Sequence, residues 1–372
     1  MEKPIKLLRP TFDAQTEQDV VRVMRSGWAS FGPKVEEFEK AFAERVGAKY
    51  AIATNSATSA LDLCIKAHKI TDGELITPAF TFTSDAEVAT WNGLTPVFAD
   101  IDPDTFTIDP NSLPLSERTK VIIAVDCHGR LADIAGIRKA IAAYNEKYAE
   151  WSPINPLIIE DAAHAIHDPG EQQGDLVVYS FQAVKFMPIF DGGMITTNDE
   201  AVAKRIRKLT WLGIEQNTYE RAAGGRYAWH YDIIEENGIK AYMTNFQAVI
   251  GLGQLRRLDA LLAKRQSIQA LYNTAFQGKP WFTEPVWSRT VQYYTPKWEN
   301  RDGLNEFLSK NDIHTGMHFK PLHHLTRWKK YARPLPNTEQ VFSQILSLPV
   351  HDALTHEEQL YVIDKVLEYY GK

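Results

Sequence analysis

The 372-residue sequence contains only two cysteines, Cys64 and Cys127. Two cysteines are too few for the disulfide network that stabilises small secreted domains, and Cys64 lies in an apolar run typical of a buried helix. We therefore expect two reduced thiols without a redox role. A chain of this length can bury a large hydrophobic core without covalent links, and its length predicts two or three domains.

Long apolar runs and a strong excess of one charge are also missing. No run of about 18 or more uncharged apolar residues, the length of a membrane-spanning helix, occurs. There are 47 acidic and 41 basic residues, a formal net charge of −6, whereas nucleic-acid-binding domains usually carry a basic face. The first residues lack the apolar core and cleavage site of a signal peptide. We expect a cytoplasmic protein with no membrane, nucleic-acid or metal partner.

From about residue 49 to residue 200, short apolar or β-branched runs alternate with helix-like stretches. Such strands, separated by helices, are typical of an α/β domain whose mostly parallel sheet has helices on both faces. Ligands bind these sheets at the carboxyl ends of the strands, so the residues after each run are the first candidates for chemistry. The seven predicted strands start at Tyr50, Leu75, Pro96, Val121, Leu157, Leu176 and Met194.

Helices are predicted on either side of this block. Amphipathic segments occupy residues 16–25 and 34–46, before the first strand. After the block, apolar residues at helical spacing predict one long helix over residues 244–276, although two glycines weaken its middle. The final helix is predicted to begin at the capping box formed by Thr355 and Glu358.

The last 90 or so residues are typical of a smaller α+β domain. We therefore divide the chain into residues 1–250, an N-terminal arm with the large domain, and residues 251–372, a small C-terminal domain. The segment 213–238 is rich in aromatic and charged residues and fits neither helix nor strand. It is expected to be a long functional loop.

Lys185 is the first candidate for chemistry. It follows an apolar strand and lies among aromatic and aliphatic neighbours, between Phe181 and Phe190. Most lysines are solvated, and that is the simpler interpretation. In an apolar setting, however, the ammonium group is partly desolvated, so the neutral amine is favoured and becomes a better nucleophile for a Schiff base.

Asp161 is the second candidate, at the end of the apolar run that starts at Leu157. A carboxylate at a strand end could bind a metal, act as a base or hold a cationic heterocycle. A strand-end aspartate is also a common helix cap, and its position alone does not decide between these roles.

The segment from Asn55 to Thr58 opens a predicted helix with small and hydroxyl residues. Its free N–H groups and the helix dipole predict an anion site, although the Gly-Lys-Ser/Thr of a Walker loop is absent. Pyridoxal phosphate needs an anion site for its phosphate, a carboxylate for its ring nitrogen and an amine for its aldehyde. The ordered set therefore predicts a pyridoxal-phosphate enzyme.

The sequence resembles the DegT/DnrJ/EryC1/StrS sugar aminotransferases over almost its whole length. This resemblance implies the pyridoxal-phosphate-dependent transferase type I fold of aspartate aminotransferase, with a seven-stranded, mostly parallel sheet between helices and a smaller α+β C-terminal domain. The blocks that carry it lie at residues 26–28, 32–33, 81–82, 95–102, 160–165, 180–185, 192–198, 243–255 and 347–350.

The resemblance also implies roles for individual residues. Lys185 would form the Schiff base with the cofactor and move the proton during catalysis. Asp161 would pair with the pyridine nitrogen, Phe82 would stack on the cofactor ring, and His164 would lie near the ring hydroxyl. Without the family pattern, Phe82 would be read as core packing. The phosphate-binding positions would be Ala57, Thr58 and Ser180.

The sequence departs from the family at Lys240, where many members carry an asparagine that reaches the phosphate across a dimer interface. Lys240 either contacts the partner's phosphate as a point charge or is merely solvated. Candidate sugar-binding residues lie in residues 28–31, in the segment 213–238 and in residues 317–323. The individual candidates are Trp28, Phe31, His318 and His323, and structural packing is an equal alternative for His318.

The resemblance implies a homodimer with shared active sites that aminates a keto-sugar with glutamate as the amino donor. A nucleotide-linked 4-keto-6-deoxy hexose is the expected substrate. One alternative is a pyridoxal-phosphate-dependent sugar dehydratase, but its known relatives carry histidine where Lys185 stands. Another is a non-catalytic regulatory protein that binds a ligand, which would not need a Schiff-base nucleophile.

Overall fold

A seven-stranded sheet forms the centre of the large domain. The computed structural model describes residues 4–148, 152–171, 174–216, 219, 221 and 231–371. The strands are β1 (Tyr50–Thr54), β2 (Glu74–Pro78), β3 (Thr95–Ala99), β4 (Thr119–Val125), β5 (Leu157–Asp161), β6 (Leu176–Ser180) and β7 (Gly193–Thr197). Their order is β1-β7-β6-β5-β4-β2-β3; β7 is antiparallel to both of its neighbours, β1 and β6, and the remaining neighbouring pairs are parallel. The predicted α/β class and mostly parallel sheet are confirmed.

Helices flank the sheet and build much of the rest of the described chain. Among the described residues, no helix combines the length and apolar character needed to cross a membrane. The helices are α1 (Ala14–Ser26), α2 (Pro33–Val46), α3 (Ala57–Ala67), α4 (Ser84–Trp91), α5 (Ile134–Lys147), α6 (Glu200–Leu209), α7 (Asn245–Arg256), α8 (Leu258–Phe276), α9 (Arg301–Lys310), α10 (Pro336–Gln344) and α11 (His356–Tyr369). A short pair, β8 (Phe282–Thr283) and β9 (Lys297–Trp298), lies in the C-terminal part.

Burial on both faces explains why the strands are nearly continuous apolar runs. Every residue of β5, β6 and β7 is buried. On one face, Phe42 of α2 packs against Tyr179 and Phe181, with ring centroids 4.9 and 5.4 Å apart. On the other face, α3 buries Leu61 and Ile65 in a second cluster. Polar groups therefore gather at the strand ends, where the cavity described below opens.

The single long helix predicted over residues 244–276 is wrong, because the segment forms two helices, α7 and α8. The first half packs on α1 and α2 in the large domain, whereas the second half carries Ile268 and Tyr272 into a different core. The break at Arg257 precedes Leu258 and Leu262, which still pack in a large-domain cluster, so the change of core occurs within α8. The capping box at Thr355 and Glu358 is confirmed at the start of α11.

The two glycines in α7 permit close helix packing. A Cβ at Gly251 would lie 2.7 Å from the ring of Phe38, and a Cβ at Gly253 would lie 2.0 Å from the hydroxyl oxygen of Thr16. A side chain at either position would push α7 away from α2 or α1. The glycines weaken the helix locally but allow α1 and α2 to approach it.

The C-terminal part has a hydrophobic core of its own. In α8, Leu262 still packs in a large-domain cluster, whereas Ile268 belongs to the cluster of the C-terminal part. The N-terminal arm joins that part through a parallel bridge between Ile5 and Ile313. The division at residue 250 stays a prediction. The predicted functional loop, 213–238, lies partly outside the described residues.

Candidate active site

The carboxyl ends of β5 and β6 open into a cavity of about 410 Å³. A larger depression of about 700 Å³ lies near the amino ends of β4, β5 and β6, away from the polar strand ends. We take the first cavity as the candidate site, because it gathers eight of the twelve residues singled out in the sequence. They are Ala57, Thr58, Phe82, Asp161, His164, Ser180, Lys185 and His318.

Lys185 lies in the loop after β6, half-buried in the cavity wall. The next residue, Phe186, donates its N–H to Oε1 of Gln292 at 2.8 Å, which fixes this loop against the C-terminal part. Desolvation lowers the pKa of Lys185 to about 8, although the carboxyl groups of Asp161 and Asp85 oppose the shift. About a tenth of the amine is therefore neutral at pH 7, far more than for a solvated lysine, and the neutral form is the nucleophile.

Asp161 ends β5 and is buried. Its Oδ1 accepts a hydrogen bond of 2.9 Å from the N–H of Ala163, within a turn rather than a helix, so Asp161 does not cap a helix. Burial raises the pKa of Asp161, while the N–H of Ala163 and the charge of Lys185 lower it. A cationic ring nitrogen beside this carboxyl group would further favour its ionised form.

The start of α3 forms the anion site. Ser56 is the N-cap, and its Oγ accepts a hydrogen bond of 3.1 Å from the N–H of Ser59. Ala57 and Thr58 follow in the first turn and line the cavity, together with Ser180 at the end of β6. The N–H groups of a first helical turn have no partner within the helix, and the helix dipole adds positive potential there. A phosphate group would be stabilised at this position.

Gly193, the first residue of β7, keeps the start of α3 in place. A Cβ at Gly193 would lie 2.6 Å from the backbone nitrogen of Ala57 and 2.6 Å from the carbonyl carbon of Ser56. We expect Gly193→Ala to displace this turn and to weaken the binding of pyridoxal phosphate by about tenfold or more, a cost of ~1.4 kcal/mol. A fluorescence titration measures the affinity. Asp302→Ala, at an exposed position that does not line the cavity, is the control. Equal affinities for the two variants would contradict the expectation.

Two histidines form a stacked wall of the cavity. His164 lies nearly parallel to Phe319 with ring centroids 5.5 Å apart, and His318 lies on Tyr293 with centroids 3.9 Å apart. Desolvation lowers the pKa of both histidines, that of His318 to about 4, so both are neutral at pH 7. Phe319 belongs to the candidate segment 317–323, whereas Tyr293 was not singled out in the sequence, because aromatic residues in a small domain ordinarily form its core.

Phe82 lies at the mouth of the same cavity. Its side chain is 59% exposed, which is unusual for phenylalanine, and its ring centroid lies 6.3 Å from that of Phe319. This exposure argues against the core-packing interpretation. The ring is available to contact a flat ligand that enters the cavity.

Four predicted residues do not line the cavity of the single chain. Nε1 of Trp28 donates to the carbonyl oxygen of Phe31 at 2.6 Å and closes the turn before α2. Phe31 is buried, and Nε2 of His323 forms a hydrogen bond with the carboxylate of Glu339 in α10. Nζ of Lys240 lies 5.5 Å from the ring centroid of Trp211. Any role of these four residues at the site therefore needs a second subunit or a movement of the chain.

The residues of the cavity fit pyridoxal phosphate. The cofactor needs an amine of lowered pKa, a carboxylate and an anion site within one cavity, and Lys185, Asp161 and the start of α3 supply them. The close contact of Gly193 with this turn leaves no room for a side chain between strand and helix. One chain therefore supplies the amine, the carboxylate and the anion site that the cofactor needs.

Comparisons with known proteins agree with this fit. A sequence model described as the DegT/DnrJ/EryC1/StrS aminotransferase family matches residues 10–367. The spore coat polysaccharide biosynthesis protein SpsC of Bacillus subtilis is 35% identical over 382 aligned residues, which cover 96% of this chain and 94% of SpsC.

Solved structures are similar over almost the whole chain. Spr1654 from Streptococcus pneumoniae in its PMP form has a TM-score of 0.89 at 29% identity and covers 99% of both chains. Its PLP form has a TM-score of 0.87 at 28% identity and covers 99% of this chain and 98% of that one. A DegT DnrJ EryC1 StrS aminotransferase from Brucella abortus has a TM-score of 0.83 at 30% identity and covers 96% of each chain.

Proposed function

We propose that this chain, which belongs to the DegT/DnrJ/EryC1/StrS aminotransferase family, aminates a nucleotide-linked keto-sugar with glutamate as the amino donor. The sugar aminotransferase activity and the dependence on pyridoxal phosphate follow from the family. The nucleotide, the 4-keto-6-deoxy hexose and the donor are parts of the proposal. The observation that carries it is the meeting of Lys185, Asp161 and the anion site in one cavity.

Lys185 is proposed to be the general acid and base of the reaction. When bound, pyridoxal phosphate supplies a ring that withdraws electrons from the substrate carbon. Nζ of Lys185 holds the cofactor covalently and, once released, takes or returns the proton at the substrate carbon that loses or gains nitrogen. A pKa of about 8 suits both directions of transfer, because the protonated and neutral forms coexist near neutral pH.

The other residues of the cavity are proposed to orient the cofactor. Asp161 would accept a hydrogen bond from a protonated ring nitrogen, and the start of α3 with Ser180 would hold the phosphate. Phe82 would contact the ring, and the neutral His164 would supply a nitrogen for the ring hydroxyl. Together these residues would orient the cofactor in the cavity.

The proposed substrate has two supports. One is the resemblance of the sequence to nucleotide-sugar enzymes, and the other is its similarity to SpsC, a spore coat polysaccharide biosynthesis protein. Amino sugars enter polysaccharides from activated, nucleotide-linked precursors, which are anionic. A chain with a net charge of −6 must then bind them at a locally positive site.

A homodimer with shared sites, in the cytoplasm, belongs to the same proposal. Lys240, Trp28 and Phe31 do not line the cavity of one chain, so a second subunit is needed if they contact ligand. A monomer at working concentration, measured by light scattering, would contradict the role proposed for Lys240.

A screen of keto-sugar nucleotides tests the substrate. The purified enzyme is first converted by glutamate to its aminated cofactor form, which bleaches the visible absorption of the bound cofactor. We expect one class of 4-keto-6-deoxy sugar nucleotide to restore that absorption within a single turnover. Recovery with 2-oxo acids but with none of the sugar nucleotides would contradict the proposal.

A further inference from the structure

We propose that Asp85 is a positioning residue that shares one proton with Asp161 and thereby sets the charge presented to the ring nitrogen of the bound cofactor. The inference deepens the proposed function, on which it rests. It concerns the ring-nitrogen end of the cavity, where the sequence singled out Asp161 alone.

The two carboxyl groups meet at the end of the sheet. Asp85 lies in the first turn of α4 and is fully buried. Its side chain is in hydrogen-bond contact with that of Asp161 at the end of β5. Thr81 holds Oδ2 of Asp85 with a hydrogen bond of 2.7 Å, and Ser84 holds Oδ1 at 3.2 Å. Both hydroxyl residues line the cavity, so Asp85 stands directly behind its wall.

Two buried carboxyl groups in contact cannot both be ionised, because the repulsion of two negative charges adds to the cost of desolvation. The proton resides mainly on Asp85. Burial and the charge of Asp161 raise the pKa of Asp85 well above its usual value. The pKa of Asp161 is raised less, since the N–H of Ala163 and the charge of Lys185 favour its ionised form.

The charged and titratable groups around the pair are consistent with one proton that resides mainly on Asp85. Lys185 is the cation that faces both carboxyl groups from the loop after β6, and it favours their ionised forms. Asp126, at the end of β4, is buried and repels negative charge on Asp161. His164, after β5, is neutral because burial lowers its pKa. Cys127 is a thiol whose raised pKa keeps it uncharged.

The shared proton sets the net charge of the Asp85–Asp161 pair at −1, which balances the +1 charge of a protonated ring. With one proton, the pair carries a single negative charge opposite the single positive charge of a protonated ring nitrogen. The hydroxyl of protonated Asp85 donates to Asp161 and withdraws electron density from it, so Asp161 holds the ring proton less tightly than an isolated carboxylate would. When the pair loses its proton to solvent at alkaline pH, the ring proton is held more tightly.

The test compares the wild-type holoenzyme with Asp85→Asn and with Asp126→Asn. Asparagine retains the shape of Asp85 but cannot share or release this proton. Asp126 is a matched control, because its carboxyl is also buried and also has a raised pKa, but it does not line the cavity. The readout is the pH titration of the ring nitrogen, followed by the NMR shift of ¹⁵N-labelled cofactor bound to the enzyme.

We expect a titration step in the wild type that Asp85→Asn lacks and Asp126→Asn retains. Identical titrations in the wild type and Asp85→Asn would overturn the proposal. Loss of the step in Asp126→Asn as well would also overturn it, because removal of any nearby buried carboxyl group would then abolish the step. A wild type that binds the cofactor but aminates no sugar would contradict the proposed function and leave this result intact.

Folding stability of the apoprotein provides a second measurement. A carboxyl group whose pKa is raised by folding contributes stability below its unfolded pKa of about 4, and this contribution is lost as the pH rises through its folded pKa. The melting temperature of Asp85→Asn relative to the wild type is therefore expected to rise with pH from about pH 4 upward. A difference that does not change with pH would overturn the proposal. If Asp85→Asn does not fold, Asp85→Ser takes its place in both measurements.

Discussion

Replacing Lys185 with alanine is expected to abolish covalent attachment of pyridoxal phosphate and to lower the transamination rate by about 10⁴-fold or more. Lys185 is the lysine that lines the cavity, and the lowering of its pKa to about 8 provides the neutral amine that the cofactor aldehyde requires. Reduction with borohydride followed by mass spectrometry of the peptides measures the attachment, and single-turnover absorption measures the rate.

Two further variants distinguish the loss of the nucleophile from the loss of a positive charge and from a general effect on folding. Lys185→Arg keeps the positive charge but removes the nucleophile, so it is expected to be as inactive as Lys185→Ala. Lys204→Ala removes an exposed lysine of α6 that pairs with Glu200, and it should behave like the wild type. Covalent attachment of the cofactor to Lys185→Ala would contradict the assignment of this residue.

Asp161→Ala is expected to lower the rate by roughly a hundredfold to a thousandfold, the range for losing one preorganised charged partner of the transition state. The ring nitrogen would lose the buried carboxylate that keeps it protonated, and the ring would withdraw electrons less strongly. The defect should fall on the rate of the half-reaction rather than on glutamate affinity. Stopped-flow measurements over a range of glutamate concentrations distinguish the two.

Asp302→Ala serves as the matched control. Asp302 is 79% exposed in the first turn of α9, pairs with the neighbouring Arg301 and does not line the cavity. The variant is expected to keep the wild-type rate. If Asp161→Ala retains the wild-type rate while its cofactor stays bound, the proposed pairing with the ring nitrogen is wrong.

The sheet could be predicted because its strands are buried on both faces. Runs such as those of β4, β5 and β6 have few polar residues, and α-helices separate three of the six successive strand pairs, so both their existence and their mostly parallel arrangement follow from the sequence. The helix break between α7 and α8 could not be predicted in this way. The apolar spacing continues through it, and the change from one core to the other occurs later, between Leu262 and Ile268.

The parts of the site that could be predicted are the residues whose type and position at a strand end both indicate chemistry. Lys185 and Asp161 stand at strand ends, and the topology brings strand ends together. Asp85 was missed because an acidic residue in the first turn of a helix is ordinary, and only its burial against Asp161 makes it unusual. Tyr293 was missed because the sequence does not show which aromatic residues of the C-terminal part face the cavity.

The most direct test of the proposed function is the transfer of ¹⁵N from labelled glutamate to a nucleotide-linked keto-sugar, followed by mass spectrometry of the sugar product. The account predicts that wild-type enzyme loaded with pyridoxal phosphate gives an amino sugar carrying the label, with one 2-oxoglutarate formed per sugar. A sugar product that has lost water and gained no nitrogen would contradict it and would identify a dehydratase instead.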